Sequence, residues 1–452
     1  MKYPFILYIL LILSLSSSGQ DYINLEAKGT AGIYSSSESP FWMHSNRRGR
    51  VDEKTFYSGL LSGSVIFNKD NSSSFQFGGG LLYKDGYDDG FKIDEAYFSY
   101  VSPKIRVDIG KRQRTDLYQG LSVSNESILW SLNASPFPGI SIETVEPVFF
   151  NFKDYGLGFK FSIGEYLLDD ERFIDNTRLH HKSGHLVYRT QKDFEVSLGL
   201  QQFVQWAGVS EEFGRLPKTL EDYGRVITGR AGVDDVGGEE VNALGNQMGS
   251  YELKIRTRIN DLDVELFYNH IFEDGSGLKL GNFPDGRYGV YIEDNRDTFW
   301  GKDWIRYFIY EFYYTKNQSR DRKSSAIDGA DNYFNNNLYQ SGWTYQNRVI
   351  GVPLILLNDD RFRIGTNILT VHHLGLKGAL LKNNSYQFLL SYRVNYGLKD
   401  SFYKPTARVV SSYLEVELMK GDYNLSAFVA SDIKNVDQSN FGAGLIFSRS
   451  LF

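Results

Sequence analysis

Clusters that mix tryptophan or tyrosine with arginine or lysine are the residues of this chain best suited to chemistry. One cluster runs from Phe299 to Arg306, and another runs from Tyr339 to Arg348. A flat aromatic ring can stack on the apolar face of a sugar, while charged and amide side chains bond its hydroxyl groups. Each ring could instead be structural, because Trp and Tyr near strand ends often form the aromatic belt of a membrane protein. The candidate binding residues are Trp206, Trp300, Lys302, Trp304, Arg306, Tyr339, Trp343, Tyr345 and Arg348.

Residues for catalysis or metal binding do not form a known pattern. The chain holds seven histidines, including the pairs His180-His181 and His372-His373. Neighbouring strand residues point to opposite faces, so such a pair in a strand cannot share one ion. The acidic run 169–171 does not match an EF-hand loop, and no phosphate-binding or nucleophile-elbow motif occurs. We therefore predict no catalytic residues, no metal, no cofactor and no enzymatic activity. Paired carboxylates for glycoside cleavage stay an open alternative, because their separation depends on the fold.

The segments around the aromatic clusters alternate between apolar and polar residues. This holds almost without exception from Tyr386 to Tyr396, and residues 251–259 alternate with four charged side chains between the apolar ones. Successive side chains of a β-strand point to opposite faces, and a face with four charges must meet water rather than lipid. Such strands, joined by tight turns like Lys420-Gly421-Asp422, predict an all-β fold: a transmembrane antiparallel β-barrel of about 18 strands. A soluble β-sandwich is the alternative.

The composition fits one large exported barrel. The chain has 452 residues with 31 Tyr, 32 Phe and 6 Trp, and no Pro/Gly/Ser-rich linker divides it. Lys2, the apolar run Phe5–Leu15 and the small residues after it predict a signal peptide over residues 1–19. Residues 20–54 alternate poorly, so we predict a periplasmic or plug segment there and the barrel over residues 55–452. The chain has no cysteine, so disulfides are excluded, and a net charge of -6 argues against nucleic acid as a partner.

Long connections interrupt the alternation in four places. They cover residues 111–155, 204–249, 273–304 and 316–342. Outer-membrane barrels have short periplasmic turns and long extracellular loops. We therefore predict that these four connections lie outside the cell, where they carry the candidate binding residues. A barrel of this size encloses a wide lumen unless loops or a plug fill it.

Three motifs resemble one known protein family. They are Ser39-Pro40-Phe41-Trp42, Asn133-Ala134-Ser135-Pro136-Phe137-Pro138-Gly139 and Gly342-Trp343-Thr344-Tyr345. With these motifs the chain resembles the Wzi family of capsule-assembly outer-membrane proteins, from near residue 30 to the C-terminus. The resemblance implies an outer-membrane barrel of about 18 strands with a small helical part on the periplasmic side. It also implies a lectin role in holding capsular polysaccharide at the cell surface. The chain departs from the family at Thr115–Tyr118, where further Gly and Trp residues are usual.

Two functions follow from these expectations. In the first, the protein binds and anchors capsular or related surface polysaccharide, and its other partners are outer-membrane lipid and the outer-membrane assembly machinery. The terminal Phe452 resembles the aromatic end that this machinery recognises. In the second, the charged face of residues 252–258 lines a porin-like channel for oligosaccharides. Both functions place the protein in the outer membrane of a Gram-negative bacterium.

Overall fold

The main sheet of the molecule closes on itself. The computed structural model describes residues 22–70, 72–151, 153–233, 243–273, 275–296, 304–319, 331–381, 384–399 and 401–451. The sheet contains 19 strands, of which Val148–Phe149 is a two-residue addition beside a longer neighbour. The other eighteen pair antiparallel in chain order, and the first also pairs with the last, since Gly29 lies opposite both Gly59 and Phe447. The predicted all-β fold, a closed antiparallel barrel of about eighteen strands, is confirmed.

The barrel strands and the elements between them have the following bounds. The barrel strands are β1 (Tyr22–Tyr34), β2 (Tyr57–Asp70), β3 (Ser73–Lys84), β4 (Gly90–Val101), β5 (Ile105–Lys111), β6 (Pro138–Thr144), β7 (Gly156–Leu168), β8 (Thr177–Arg189), β9 (Phe194–Trp206), β10 (Asn246–Ile259), β11 (Leu262–Phe272), β12 (Gly286–Asp294), β13 (Tyr307–Tyr314), β14 (Ile368–Leu381), β15 (Asn384–Leu398), β16 (Ser401–Met419), β17 (Asn424–Lys434) and β18 (Asn440–Ser450). The connections hold the helices α1 (Phe41–His44), α2 (Leu220–Thr228) and α3 (Gly275–Leu278) and the short strands Ile174–Asp175, Val209–Ser210, Gly214–Arg215, Thr344–Tyr345, Arg348–Val349, Leu356–Leu357 and Ile364–Thr366. Within the described ranges, no helix has the length and apolar character to cross a bilayer.

The barrel begins earlier than the predicted boundary at residue 55. Strand β1 pairs with both β2 and β18 along most of its length. Its alternation is weak in the sequence because Gly29 and Gly32 contribute no side chain to either face. The segment outside the wall is thereby reduced to residues 35–56. The predicted signal peptide lies outside the described residues.

The connections form two rims at opposite ends of the barrel. Tight turns such as 190–193 and 260–261 lie at one end, which we name the short-turn rim. The other end, the long-loop rim, carries the connections 35–56, 112–137, 169–176, 207–245, 273–285 and 315–367. In outer-membrane barrels the short turns face the periplasm and the long loops face the cell exterior. That the long-loop rim of this chain faces the exterior stays a prediction.

Two short strands correct the predicted loops. Strand β6 divides the predicted connection 111–155, and β12 divides 273–304. Asn295 and Arg306 consequently lie at the short-turn rim, where the Asn295 amide donates a 3.0 Å hydrogen bond to the Asp261 carbonyl. Neither strand was predicted from the sequence, because β6 is seven residues long and begins with Pro138, and β12 contains two glycines.

Outward and inward faces of the wall differ as the alternation predicts. Leu198 and Leu266 point outward and are 56% and 50% exposed, so they belong to an apolar outer belt. Lys254 of β10 points to the inward face of the wall. Its Nζ is 3.2 Å from Glu126 Oε2 of a connection inside the barrel. The charged face predicted for β10 therefore meets the lumen.

Three connections from the long-loop rim fold into the lumen and bind one another. The Arg48 amide donates to the Leu132 carbonyl (2.8 Å), and the Ser131 amide donates to the Ile350 carbonyl (3.0 Å). Their apolar side chains pack against inward residues of the wall in one buried core that includes Leu121, Ile128, Leu129, Trp343, Ile350 and Leu354. We name residues 35–56, 112–137 and 331–367 the lumen plug. It fills the lumen with loops that are far apart in the sequence.

Candidate functional site

A buried ion pair on the wall holds the lumen plug. Arg287 of β12 and Glu311 of β13 are both fully buried, and their charged groups are 2.8 Å apart. Glu311 accepts hydrogen bonds from Ser122 Oγ (2.6 Å) and from the Val123 amide (2.8 Å). Arg287 donates to the Asn125 carbonyl (2.8 Å). We name this arrangement the plug clamp. Because its charges are paired and hydrogen-bonded, burial is tolerated only while the plug is in place.

Close packing between the loops leaves no room for side chains at some positions. Gly49 has a φ of +73°, a region that residues other than glycine rarely adopt. A Cβ at Gly49 would overlap Ser135 Oγ and would lie 2.9 Å from the Ser135 amide nitrogen. Two parts of the plug therefore meet backbone to backbone beside the outer opening of the barrel.

A small polar cleft, with a volume of about 10 Å³, lies at the long-loop rim where all three plug connections meet the β3–β4 turn. Its lining residues are Gly49, Asp52, Lys84, Tyr87, Asp88, Lys92, Ser135, Gln346, Asn347, Arg348 and Arg361. We name it the rim cleft. Its cations are paired: Lys84 with Asp52 at 2.7 Å, and Lys92 with Asp88 at 2.9 Å. The Arg361 guanidinium lies 4.1 Å from the centre of the Tyr87 ring, so a cation covers part of that aromatic surface.

Glu53 is the charge centre beneath the rim cleft. It pairs with Arg361 at 2.6 Å and lies 3.7 Å from Arg348 and 3.9 Å from His44. Burial alone would raise its pKa, but Arg348, His44 and Arg361 together hold the pKa of Glu53 well below its usual range. Burial also lowers the pKa of His44, an effect that Glu53 partly offsets. One carboxylate from the connection 35–56 therefore joins two arginines of the connection 331–367.

Four of the predicted binding residues lie in or against the lumen plug, and all four are buried. The Trp343 Nε1 donates to the Leu129 carbonyl at 2.7 Å, and the Tyr339 hydroxyl donates to the Ala207 carbonyl at 3.3 Å. Tyr345 donates its hydroxyl to Asp169. Arg348 is 5% exposed, and its guanidinium donates to the Val51 carbonyl at 2.5 Å. Of the seven predicted binding residues that the structure describes, only Arg348 lines the rim cleft.

The other predicted residues lie elsewhere. Trp206 is at the end of β9, where its indole stacks on Tyr223 at 5.2 Å and points to the outside of the barrel wall. Trp304, 64% exposed, and Arg306 lie at the short-turn rim, opposite the rim cleft. Trp300 and Lys302 lie outside the described residues. Contact between any of the nine predicted residues and a sugar stays a prediction. The seven that the structure describes are not gathered in one site.

Several cleft residues were missed in the sequence. Lys84, Tyr87, Asp88 and Lys92 belong to the β3–β4 hairpin. The charged run from Lys84 to Asp89, with a single tyrosine, has the same mixture of types as the predicted clusters. Because the hairpin connection is short, it did not stand out as a binding loop. Among the described residues, no group of three or more His, Cys, Asp or Glu side chains is arranged to hold a metal ion.

Comparison with known proteins gives the chain a family. A family model described as capsule assembly protein Wzi matches residues 25–354. The chain belongs to the Wzi capsule assembly family. Its sequence matches no curated protein. Membership and the barrel fold together support an outer-membrane location in a Gram-negative bacterium for this Wzi-family protein.

Solved structures share the barrel fold of this Wzi-family protein. Wzi of Escherichia coli, described as a carbohydrate-binding β-barrel involved in group 1 capsule assembly, is 14% identical with a TM-score of 0.58; the match covers 94% of this chain and 83% of that one. OccK3 (OpdO) of Pseudomonas aeruginosa is 12% identical with a TM-score of 0.51 and 96% coverage of both chains. A BenF-like porin from Pseudomonas fluorescens Pf-5 is 10% identical with a TM-score of 0.50, covering 96% of this chain and 98% of that one. At these identities the matches show the fold alone.

Proposed function

We propose that this Wzi-family protein binds capsular or related surface polysaccharide at the long-loop rim and anchors it there during capsule assembly. The observation that carries the proposal is the lumen plug: three loops fill the barrel and gather a polar cleft at their outer surface. A filled barrel suits retention of a polymer outside better than passage through the wall. The E. coli barrel that is described as carbohydrate-binding has the same fold.

The rim cleft suits a hydroxyl-rich ligand. Its cations already have carboxylate partners, as Lys84 has Asp52 and Lys92 has Asp88. Paired charges offer both donors and acceptors to neighbouring hydroxyl groups without a strong preference for an anion. Of the residues predicted from the sequence, we propose Arg348 as a direct contact. The buried rings of Trp343 and Tyr345 act as packing that fixes the cleft from below.

Binding measurements on cleft variants test this proposal. We expect Tyr87→Ala and Lys92→Ala to weaken binding of purified protein to capsular polysaccharide by about tenfold each, or ~1.4 kcal/mol. Lys420→Ala is the matched control, because it removes an exposed lysine from the short-turn rim. Binding that survives in both cleft variants would place the site elsewhere. In cells, deleting the gene should release polysaccharide from the surface into the medium, and unchanged retention would refute anchoring.

A porin-like channel for oligosaccharides is the second candidate. The charged inner face of β10 supports it, since Lys254 and Arg256 line the lumen beside the plug. The plug opposes it. Single-channel conductance in planar bilayers separates the two functions, because a lectin barrel with its plug in place should conduct poorly. A stable open conductance that soluble oligosaccharides block would favour the channel.

A further inference from the structure

Helix α2 packs on the outside of the barrel rather than over its opening. Val226 of the helix is fully buried beside Val204 and Trp206 of β9. These two wall residues share their strand face with Leu198 and Leu200, which are about half exposed on the outer belt (56% and 46%). The helix is therefore attached to the outward face of the wall. Thr219 caps its start through hydrogen bonds with Asp222, and Gly229, with a φ of 64°, ends it.

Polar groups on the outer wall fix this helix in place. His180 of β8 points outward, and its Nδ1 lies 3.2 Å from Glu165 Oε2 and 3.3 Å from the Tyr223 hydroxyl of the helix. The Trp206 Nε1 donates to Glu165 Oε1 at 2.9 Å. Lys182 donates to the Ile227 carbonyl at the end of the helix. Such groups would be costly against lipid if they were uncovered, and the helix covers them.

A second segment covers the neighbouring part of the outer wall. Residues 277–284 of the β11–β12 connection bind outward side chains of three strands. The Tyr251 hydroxyl donates to the Leu278 carbonyl (3.0 Å), and the Tyr288 hydroxyl donates to the Pro284 carbonyl (2.7 Å). His270 Nε2 lies 3.3 Å from the Gly277 carbonyl oxygen. We name helix α2 and residues 277–284 together the outer-wall shelf.

The outer-wall shelf presents large apolar side chains to its surroundings. Leu220 is 91% exposed, and Leu278, Leu280 and Phe283 are 46%, 51% and 59% exposed. The charged residues next to them in the sequence are of both signs: Lys218, Glu221 and Asp222 near Leu220, and Lys279 between Leu278 and Leu280. The shelf is therefore suited to an apolar partner rather than to one selected by charge.

The position of the shelf along the barrel strands indicates which apolar partner it contacts. Tyr251 lies eight positions before Ile259 at the short-turn end of β10, and His270 lies eight positions after Leu262 in β11. A strand needs about 9–11 residues to cross a bilayer. The shelf thus joins the wall at the upper edge of the apolar belt and continues it outward. We infer that Leu278, Leu280 and Phe283 insert among the lipids of the outer leaflet, so that the outer-wall shelf is a membrane-interface anchor.

Single labelled cysteines can test this insertion, because the chain has no cysteine of its own. The variants Leu280→Cys and Phe283→Cys place a polarity-sensitive fluorophore on the shelf of the full-length protein in phosphatidylcholine vesicles. Nitroxide groups on the lipid headgroup, or shallow or deep on the acyl chain, report the depth of each label. Leu198→Cys on the outer belt is the membrane-embedded control, and Ser439→Cys in the β17–β18 connection is the aqueous control.

The expected result is a blue-shifted label on the shelf, quenched several-fold more strongly by headgroup and shallow nitroxides than the label at position 439. Leu198→Cys should be quenched best by the deep nitroxide. Shelf labels that behave like Ser439→Cys would overturn the inference. Quenching that requires added phosphatidylglycerol would also overturn it, because apolar insertion does not need an anionic headgroup. Quenching by a second nitroxide-labelled copy of the chain, with unlabelled lipid, would assign the shelf to self-association instead.

Discussion

The barrel wall and the lumen plug belong to one chain, but they are held in different ways. Strands β8 and β9 pair continuously from Arg178 and Trp206 to Arg189 and Glu195, and other wall strands pair in the same way. The plug loops are joined by separate hydrogen bonds between irregular segments, such as those from Asn46 to the Val123 carbonyl and from Ser131 to the Gly351 carbonyl. They are attached to the wall by buried polar contacts such as the plug clamp. Stability is therefore spread over many small contributions in the wall, whereas a few positions decide whether the plug stays in the lumen.

Loss of Glu311 should produce the largest difference in stability between the plug and the wall. Glu311→Ala leaves the Arg287 guanidinium buried without its carboxylate, and it removes an acceptor from Ser122 and Val123. Breaking one side of a buried ion pair costs about 3–5 kcal/mol. We expect the plug amides to lose protection from hydrogen exchange while the wall amides keep theirs. Single-channel conductance should rise with the same variant.

A double replacement is the matched control for the plug clamp. Arg287→Met with Glu311→Leu removes both charges, so no buried ion lacks a partner. Replacing a whole buried ion pair by apolar residues is often close to neutral. We expect more plug protection in the double variant than in Glu311→Ala alone. Equal protection in the two variants would show that the unpaired charge is not what loosens the plug.

Removing one large apolar side chain from each region gives the next largest contrast. Trp343 is fully buried in the plug core, whereas Leu198 is half exposed on the outer belt. Trp343→Ala leaves a cavity and an unpaired Leu129 carbonyl, and large-to-small changes of this kind cost about 3–5 kcal/mol. We expect Leu198→Ala to cost under about 1 kcal/mol. Urea unfolding in lipid vesicles measures both, and equal losses would contradict the comparison.

Replacing one glycine in each region should give a smaller difference in stability between the plug and the wall. Gly49 in the plug has positive φ and meets Ser135, whereas nothing lies within 4 Å of a Cβ built on Gly59 of the wall. We expect Gly49→Ala to cost about 1–3 kcal/mol. Gly59→Ala should be neutral or slightly stabilising. Protease digestion of the long-loop rim reports the first change, and resistance to digestion in Gly49→Ala would show that the loops can move apart.

The sequence predicted the wall better than the plug because the two follow different rules. Residues 251–259 alternate with Thr257 as the one exception, since one face meets lipid and the other meets the lumen, and this short-range pattern is visible in the sequence. No short-range pattern indicates the plug clamp, because Arg287 and Glu311 contact Ser122, which lies far earlier in the chain. The closed barrel brings these residues together. Trp343 illustrates the same limit. Its type suggested a binding residue, but its burial is decided by three distant loops.

Acidification should affect the rim cleft before it affects wall strands that contain no histidine. We expect this effect to be the smallest of those compared. The pKa of His44 is lowered by burial from 6.5, so its neutral form is favoured in the folded state. Its contribution to stability is complete above pH 6.5 and declines as the pH falls below that value. The pKa of Glu53 is also lowered, from 4.5, so its contribution is complete above pH 4.5 and declines below it. The two groups therefore act in successive windows.

The two windows can be assigned with one variant each. Hydrogen exchange of residues 41–55 should increase in two steps as the pH falls from 7.5, while exchange in the wall pairs of β17 and β18, which contain no histidine, changes only through its intrinsic pH dependence. His44→Gln should remove the step that begins near pH 6.5, because a glutamine does not titrate. Glu53→Gln should remove the lower step, at the expense of leaving Arg361 and Arg348 without their carboxylate. If both steps persist in His44→Gln, the upper window belongs to another group and the cleft is not the first part of the molecule to respond to acid.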